Sequence, residues 1–209
     1  VSDDSLTLGV HVARTKIVSD SDVLAEARRC FLAHGPGVST EVIAEALEIS
    51  QPAIFKRFGT KKHLMLAALL PPSVPAWVSA LEDGPDERPI VEQLREVIRQ
   101  AAAFFAETIP AMSVIRASGI SKEELLASFE VAPPVVAKRT LIAWLLRSKE
   151  GGLIRPVDFE AAATMILGAL QFRAFMVHIV GDAPSGAPDE GYVDDLADLL
   201  THGLAPEVG

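Results

Sequence analysis

Residues 39–64 read STEVIAEALEISQPAIFKRFGTKKHL, and this stretch decides the fold. Ser39 or Thr40 can cap a short helix, and Ser50 can cap a second one. Pro52 falls in the first turn of the second helix, where its missing N–H does little harm because the first amides of a helix lack intrahelical partners. The stretch therefore predicts two short helices joined by a tight turn.

A further helix is predicted just upstream. After Ser21, a candidate N-cap, apolar residues recur at the spacing of one helical face, namely Val23, Leu24, Ala27, Cys30 and Phe31. The inner faces of the two short helices are predicted to hold Val42, Ile43, Ala46 and Leu47 in one and Ile54 and Phe58 in the other, leaving Gln51, Ala53, Lys56 and Arg57 outside. Such a unit presents its third helix outward, as a helix-turn-helix does to the major groove of DNA.

The stretch closely resembles a known signature. Together with Ala27 and residues 31–35 before it, the run 39–64 resembles the DNA-binding signature of the tetracycline-repressor (TetR) family. The resemblance covers about residues 18–70. It implies an all-α homodimer that regulates transcription, with a helix-turn-helix near its N-terminus and a larger helical domain behind it.

The resemblance also implies which residues contact DNA. Ser39 and Thr40 match positions that touch the phosphate backbone, Gln51 matches a position that can pair with a base edge, and Lys61 matches a lysine that resembles a phosphate anchor. With the outward side of the third helix included, the DNA-binding candidates are Ser39, Thr40, Ser50, Gln51, Pro52, Ala53, Phe55, Lys56, Arg57 and Lys61.

Two positions depart from the family pattern. Glu48 stands where the turn usually carries glycine, so the turn must form without its permissive residue and a carboxylate lies near the DNA face. Arg57 replaces the usual His or Tyr, and as a permanent cation it could reach phosphate or guanine. Both departures concern sequence preference more than fold.

Charge is divided unevenly along the chain. The net charge is −9, yet residues 1–70 carry eight Lys/Arg and eight Asp/Glu, so the whole surplus of acid lies in 71–209. That part would repel phosphates, and any DNA contact must come from the N-terminal third. Residues 39–63 hold four Lys/Arg against three acids. Two copies in a dimer would strengthen this weak footprint, and affinity should fall steeply with salt.

The rest of the chain is predicted to be helical as well. Residues 87–107 favour one amphipathic helix, 109–118 a short separate helix opened by Pro110, and 158–180 a long apolar one. No strand-like alternation persists, so the fold class is all-α. The predicted domains are a flexible N-terminal arm at 1–17, the helix-turn-helix domain at 18–65, and an effector-binding and dimerisation domain at 66–209.

In the TetR family the larger domain binds a small molecule and dimerises. Helices near 158–180 and 192–204 resemble the pair that forms the family's dimer. Large apolar side chains suggest an apolar or aromatic effector, although simple core packing is the alternative for each of them. With Arg116 as a polar handle, the ligand-binding candidates are Phe104, Phe105, Met112, Ile115, Arg116, Trp144, Met165 and Phe172. Gln100 and Gln171 are further polar handles.

Other function classes find little support. No nucleophile elbow or phosphate-cradling glycine loop occurs, and the five histidines lack metal-ligand spacing, so we expect no enzyme, metal or cofactor. Cys30 is the single cysteine and cannot form an internal disulfide. The apolar run 159–180 contains charged residues, which favours a buried helix in a cytoplasmic protein over a membrane span.

The sequence thus predicts a cytoplasmic repressor that releases a palindromic operator when an effector binds. One rival is a helical ligand-binding protein that keeps the fold but no longer binds an operator. A second rival is a small enzyme built on the same cavity.

Overall fold

The computed structural model of the protein describes residues 18–181 and 190–204, and the predicted arm at 1–17 lies outside the described residues. No β-strand occurs within these ranges, which confirms the prediction of an all-α fold. The described ranges form ten helices: α1 (Asp20–His34), α2 (Thr40–Ala46), α3 (Gln51–Phe58), α4 (Lys61–Leu69), α5 (Ala76–Glu82), α6 (Ile90–Ala117), α7 (Lys122–Leu126), α8 (Pro133–Glu150), α9 (Phe159–Val180) and α10 (Glu190–Leu204).

The start of α1 differs from the prediction by two residues. Ser19, not Ser21, is the N-cap, and its hydroxyl accepts the amide N–H of Asp22 at 3.2 Å. The Asp22 carboxylate in turn accepts the amide N–H of Ser19 at 2.8 Å. This reciprocal capping box satisfies two amides, whereas a cap at Ser21 would satisfy one.

The buried face of α2 is rotated from the predicted one. Ile43 and Ala44 are buried together with Thr40, while Val42 is 41% exposed and Ala46 is exposed. The predicted set has the correct helical period but the wrong phase, because it does not count the polar Thr40 as an inward residue.

The predicted break before Pro110 is wrong. A single helix, α6, runs from Ile90 to Ala117 with Pro110 inside it. Its buried residues ahead of the proline, from Leu94 to Phe105, belong to one hydrophobic core, and Ala111 and Ile115 beyond it belong to another. Burial on both sides offsets the lost hydrogen bond of the proline.

The described residues contain two hydrophobic cores. The first joins α1 to α4 with the C-terminal end of α6, and the second joins α5, α8, α9 and α10 with the N-terminal part of α6. The first core takes in α4 as far as Leu69. The domain boundary at 65/66 stays a prediction.

The two helices predicted near the C-terminus are present as α9 and α10. Both pack against α6, where Arg95 pairs with Asp194 at 2.6 Å and with Asp198 at 3.3 Å. By length and composition α9 could cross a membrane, and only 17% of its most apolar window is buried. Apolar side chains therefore cover much of its outer face.

Candidate nucleic-acid interface and ligand cavity

Helix α3 turns a polar side outward. Ile54 is fully buried and Phe58 is half-buried, which fixes the inner side of the helix. Pro52 and Lys56 are exposed on the other side, and the Ser50 hydroxyl at the N-cap makes no capping hydrogen bond. The Ser50 hydroxyl is therefore not used in capping α3.

The turn before α3 contains the one non-glycine residue at positive φ in the described ranges. Glu48 has φ 55° and its side chain is exposed. The amide of Glu48 donates to the carbonyl of Glu45 at 3.1 Å, and the amide of Ile49 donates to Ala44 at 3.0 Å. The turn therefore needs the left-handed conformation that glycine adopts most easily.

The side chains of Gln51 and Thr40 are hydrogen-bonded to each other. The Gln51 side-chain amide donates to the Thr40 hydroxyl at 2.6 Å, and Thr40 is 3% exposed. This bond joins the first residue of α3 to the first residue of α2. It leaves the Gln51 carbonyl oxygen as the atom of that side chain able to accept from a base.

Arg57 is also held by its own chain. Its guanidinium donates to the Val18 carbonyl at 2.8 Å and lies 3.4 Å from the Asp20 carboxylate. Its side chain is one-third exposed. Arg57 therefore ties the end of α3 to the start of α1.

The start of α4 carries two lysines. Thr60 caps the helix by accepting the amide N–H of His63 at 3.1 Å, which makes Lys61 the first helical residue. Lys62, which the sequence does not single out, donates to Glu124 of α7 at 2.5 Å. This bond, together with the Ser121 amide, lowers the pKa of the Glu124 carboxyl below its ordinary value.

The ten predicted DNA-binding residues thus fall into three groups. Six lie at the ends or the outer side of α3 and the starts of α2 and α4, with no side-chain hydrogen bond or ion pair to another described helix, namely Ser39, Ser50, Pro52, Phe55, Lys56 and Lys61. Thr40, Gln51 and Arg57 are tied to neighbouring helices, and Ala53 is half-buried on α3.

A cavity of about 490 Å³ lies between α5, α6, α7, α8 and α9. Its walls are mostly apolar, with polar side chains from Thr108, Lys138, Thr164 and Gln171. Lys138 forms an ion pair with Glu160 of α9. The apolar lining comprises Leu70, Pro71, Pro75, Trp77, Phe104, Phe105, Ile109, Met112, Leu125, Leu126, Phe129, Ala132, Pro133, Pro134, Ala137, Leu167 and Gly168.

Three of the predicted ligand-binding residues line this cavity, namely Phe104, Phe105 and Met112. The other five lie elsewhere: Ile115 and Trp144 are in the two cores, Arg116 is exposed near the end of α6, and Met165 and Phe172 are exposed on α9. Gln171, a further predicted polar handle, does line the cavity.

Much of the lining has no signal in a single sequence. Prolines from the α4–α5 link and the start of α8 form part of the wall, although the sequence pattern marks them only as helix boundaries. Gly168 also lines it, and a Cβ atom built there would meet no other heavy atom within 4 Å. The wall is assembled from five helices, so its membership depends on tertiary packing.

Other chemistry is sparse in the described residues. Among them, no group of three or more His, Cys, Asp or Glu side chains is placed to hold a metal ion. Cys30 is buried on α1, and burial raises the pKa of its thiol. A raised pKa keeps the thiol protonated and poorly nucleophilic.

Comparison with known proteins gives a consistent result. Residues 23–68 match the sequence model described as bacterial regulatory proteins of the tetR family. The crystal structure of the TetR family transcriptional regulator PfmR from Thermus thermophilus is similar, with a TM-score of 0.64 and 26% identity over 88% of this chain and 99% of that one.

Two more distant structures share the fold. A putative TetR-family transcriptional regulator from Mesorhizobium loti has a TM-score of 0.66 and 17% identity over 90% of this chain and 96% of that one. A TetR family transcriptional regulator from Pseudomonas syringae pv. tomato has a TM-score of 0.60 and 19% identity over 91% of this chain and 100% of that one. Among curated proteins, none matches the chain.

Proposed function

We propose that this chain, whose residues 23–68 match the model of bacterial regulatory proteins of the tetR family, is a cytoplasmic repressor of that family. It holds a palindromic operator as a homodimer and releases it when a small apolar or aromatic molecule enters the cavity. We assign it no catalytic step.

The single observation that carries the proposal is the outward side of α3. Pro52 and Lys56 are exposed there, and Ser50 and Lys61 lie at the starts of α3 and α4. Helix starts and lysines both favour phosphate oxygens, while the outer side of α3 is left to reach base edges. Ser39 and Phe55 belong to the same proposed interface.

The outer face of α9 and α10 supports the homodimer. Phe172 is 65% exposed, Ile179 60% and Leu199 67%, and Met165, Phe175 and Met176 lie on the same helix as the first two. A monomer rarely leaves so many large apolar side chains to water, and a second copy is the occupant that a two-fold dimer supplies. The dimer would place its two α3 helices about 34 Å apart, one turn of B-form DNA.

The cavity supports a small apolar effector. A volume of about 490 Å³ lies within the range of ligand pockets, and aromatic side chains such as Phe104 and Phe129 form its walls. Because α6 contributes both to this wall and to the core of the DNA-binding helices, an occupant can favour one arrangement of those helices over another.

The experiment is binding of the purified protein to duplexes from the region upstream of its own coding sequence, measured by fluorescence anisotropy and footprinting over a salt series. We expect a protected palindrome and an affinity that falls steeply with salt. Lys61→Ala should weaken binding and reduce the salt slope by about one ion. The control is Lys149→Ala, an exposed lysine at the far end of α8. No protection at low salt would contradict the proposal.

One alternative retains an observation in its favour. Gln51 and Arg57 are bonded to Thr40 and Val18, and the Glu48 carboxylate lies beside α3, so fewer groups are free for DNA than in the predicted set. A ligand-binding protein that no longer binds an operator would show this pattern. It would bind effectors normally, and Lys61→Ala would change nothing.

A further inference from the structure

Helix α6 is shared between the two cores. Ahead of Pro110, Leu94, Ile98 and Phe105 are buried with α5, α8, α9 and α10. Beyond it, Ala111 and Ile115 are buried with α1 to α4. The junction between the two cores therefore falls at Pro110. A proline has no amide hydrogen to donate to the carbonyl four residues back, so a helix bends most easily there.

One side chain of α1 contacts the backbone beside this junction. The Arg28 guanidinium donates to the Glu107 carbonyl of α6 at 3.1 Å and to the Ala68 carbonyl of α4 at 3.4 Å. The fork-shaped guanidinium of Arg28 therefore joins three helices, α1, α4 and α6. Guanidinium hydrogen bonds are charge-assisted and planar, so they fix the direction of both carbonyls.

Both carbonyls belong to segments that continue into the cavity wall. Ala68 lies two residues before Leu70, and Glu107 lies between Phe105 and Thr108, all three of which line the cavity. A molecule that displaces this part of the wall must displace the carbonyls that Arg28 holds. Arg28 lies on the first helix of the unit that presents α3.

We propose that Arg28 is the positioning residue that transmits occupancy of the cavity to the DNA-binding helices, with Pro110 as the point at which α6 gives way. The inference rests on the proposed function, since it concerns how that release occurs. When the wall moves, the fork loses one of its two carbonyls and α1 is no longer held in the DNA-binding arrangement.

The test measures the affinity of the full chain for a duplex selected from random sequence, with and without anilinonaphthalene sulfonate as a fluorescent apolar probe of the cavity. In the wild type we expect the probe to weaken duplex binding about fivefold or more. Arg28→Gln should bring this factor to within about twofold of unity, because the variant already lacks the bonds that hold α1 and binds the duplex about as weakly as the probe-bound wild type, while its affinity for the probe does not fall. A general loss of stability would lower the affinities without removing the coupling between them.

Arg29→Gln is the matched control. Arg29 is the next residue on the same helix, but its guanidinium pairs with Glu26 at 2.5 Å within α1. Its removal takes away the same charge and no bond between helices, so the probe should act as in the wild type. Arg28→Lys is the milder second variant, because an ammonium keeps the charge but not the planar fork.

The outcomes separate the inference from the proposed function. If the probe weakens duplex binding by Arg28→Gln as much as by the wild type, the inference is overturned, while the proposed repression and release are unaffected. A wild type that binds no selected duplex overturns the proposed function. A wild type that binds the duplex, yet responds neither to the probe nor to the cavity-filling variant Gly168→Phe, overturns release through the cavity and the inference with it.

Discussion

In the turn between α2 and α3, Glu48 adopts a backbone conformation that glycine adopts more easily. Its φ of 55° is in the left-handed region, which costs a residue with a Cβ of the order of 1 kcal/mol relative to glycine. Its carboxylate is exposed beside α3 and would repel phosphate. Both penalties come from one side chain, and substitutions can separate them.

We predict that Glu48→Gly raises the free energy of unfolding by about 0.5–1 kcal/mol, since the strain disappears and the flexibility of glycine in the unfolded chain cancels part of the gain. Glu48→Gln removes the charge and keeps the strain, so it should leave stability nearly unchanged. Chemical denaturation measures both. Duplex affinity should rise in both variants, and a glycine variant less stable than the glutamine variant would contradict the strain.

The bond between Lys62 and Glu124 makes a contribution to the stability of the fold that depends on pH. The Lys62 ammonium, followed by the Ser121 amide, lowers the pKa of Glu124 below its ordinary value of 4.5. A lowered folded-state pKa means that the contribution to stability is present above pH 4.5 and is lost as the pH falls through the folded value. Both side chains are about half exposed, so the contribution is modest.

We predict that Lys62→Met moves the pKa of Glu124 back toward 4.5, although not fully, because the Ser121 amide still donates to the carboxylate. Titration of the side-chain carboxyl by NMR measures the shift. Glu26, whose pKa is lowered chiefly by Arg29, is the internal control and should not move. An unchanged pKa at Glu124 would show that Lys62 does not contact it in solution.

At the scale of the element, α9 contains a glycine at a position where its backbone conformation does not require one. Gly168 lies in the middle of α9 at negative φ, and a Cβ there would meet no heavy atom within 4 Å. Glycine inside a helix costs about 1 kcal/mol relative to alanine. The missing side chain leaves open space at the cavity wall.

Gly168→Ala is therefore predicted to raise the free energy of unfolding by about 1 kcal/mol, because alanine has the higher helix propensity and displaces nothing. Thermal or chemical unfolding measures the change. Ala161→Gly, at an exposed position in the first turn of the same helix, is the reverse control and should destabilise. A loss of stability in Gly168→Ala would mean that another part of the assembly occupies the space above the glycine.

The helices differ in how far the sequence alone predicts them. Short helices with strong end signals, such as α3 between Ser50 and Gly59, are local in origin and follow the prediction closely. The continuity of α6 through Pro110 does not, because the burial that offsets the proline comes from residues far away in sequence. Local signals fix where a helix can end, and tertiary packing decides whether it does.

The cavity shows the same limit more sharply. Phe104 and Trp144 are both large, apolar and on amphipathic helices, yet one lines the cavity and the other is packed in the core. Residue type and periodicity are the same in the two environments. Only the arrangement of α5 to α9 separates them, so the sequence predicts an apolar ligand site without most of its members.

At the scale of the whole molecule, charge and apolar surface are segregated. The acid surplus lies in residues 71–209, whereas Lys56 and Lys61 belong to the charge-balanced N-terminal third. This distribution would orient the protein on DNA, because the larger domain would be repelled by phosphates while the N-terminal helices would not. The apolar surface lies on α9 and α10, so a dimer formed there leaves both copies of α3 uncovered.

The apolar surface of α9 and α10 is predicted to be the dimer interface. Phe172→Glu and Leu199→Glu, made together, place carboxylates at two of its most exposed apolar positions, 65% and 67% exposed in the single chain. In a dimer these charges would be buried without partners, so we expect a monomer by sedimentation equilibrium at concentrations where the wild type is dimeric. Duplex affinity should fall by at least about a hundredfold, because a monomer contacts one half-site at a time. Leu146→Glu, on α8 and 40% exposed, is the control for an added charge and should stay dimeric. A double variant that remains dimeric and binds the operator normally would show that the two copies associate through another face.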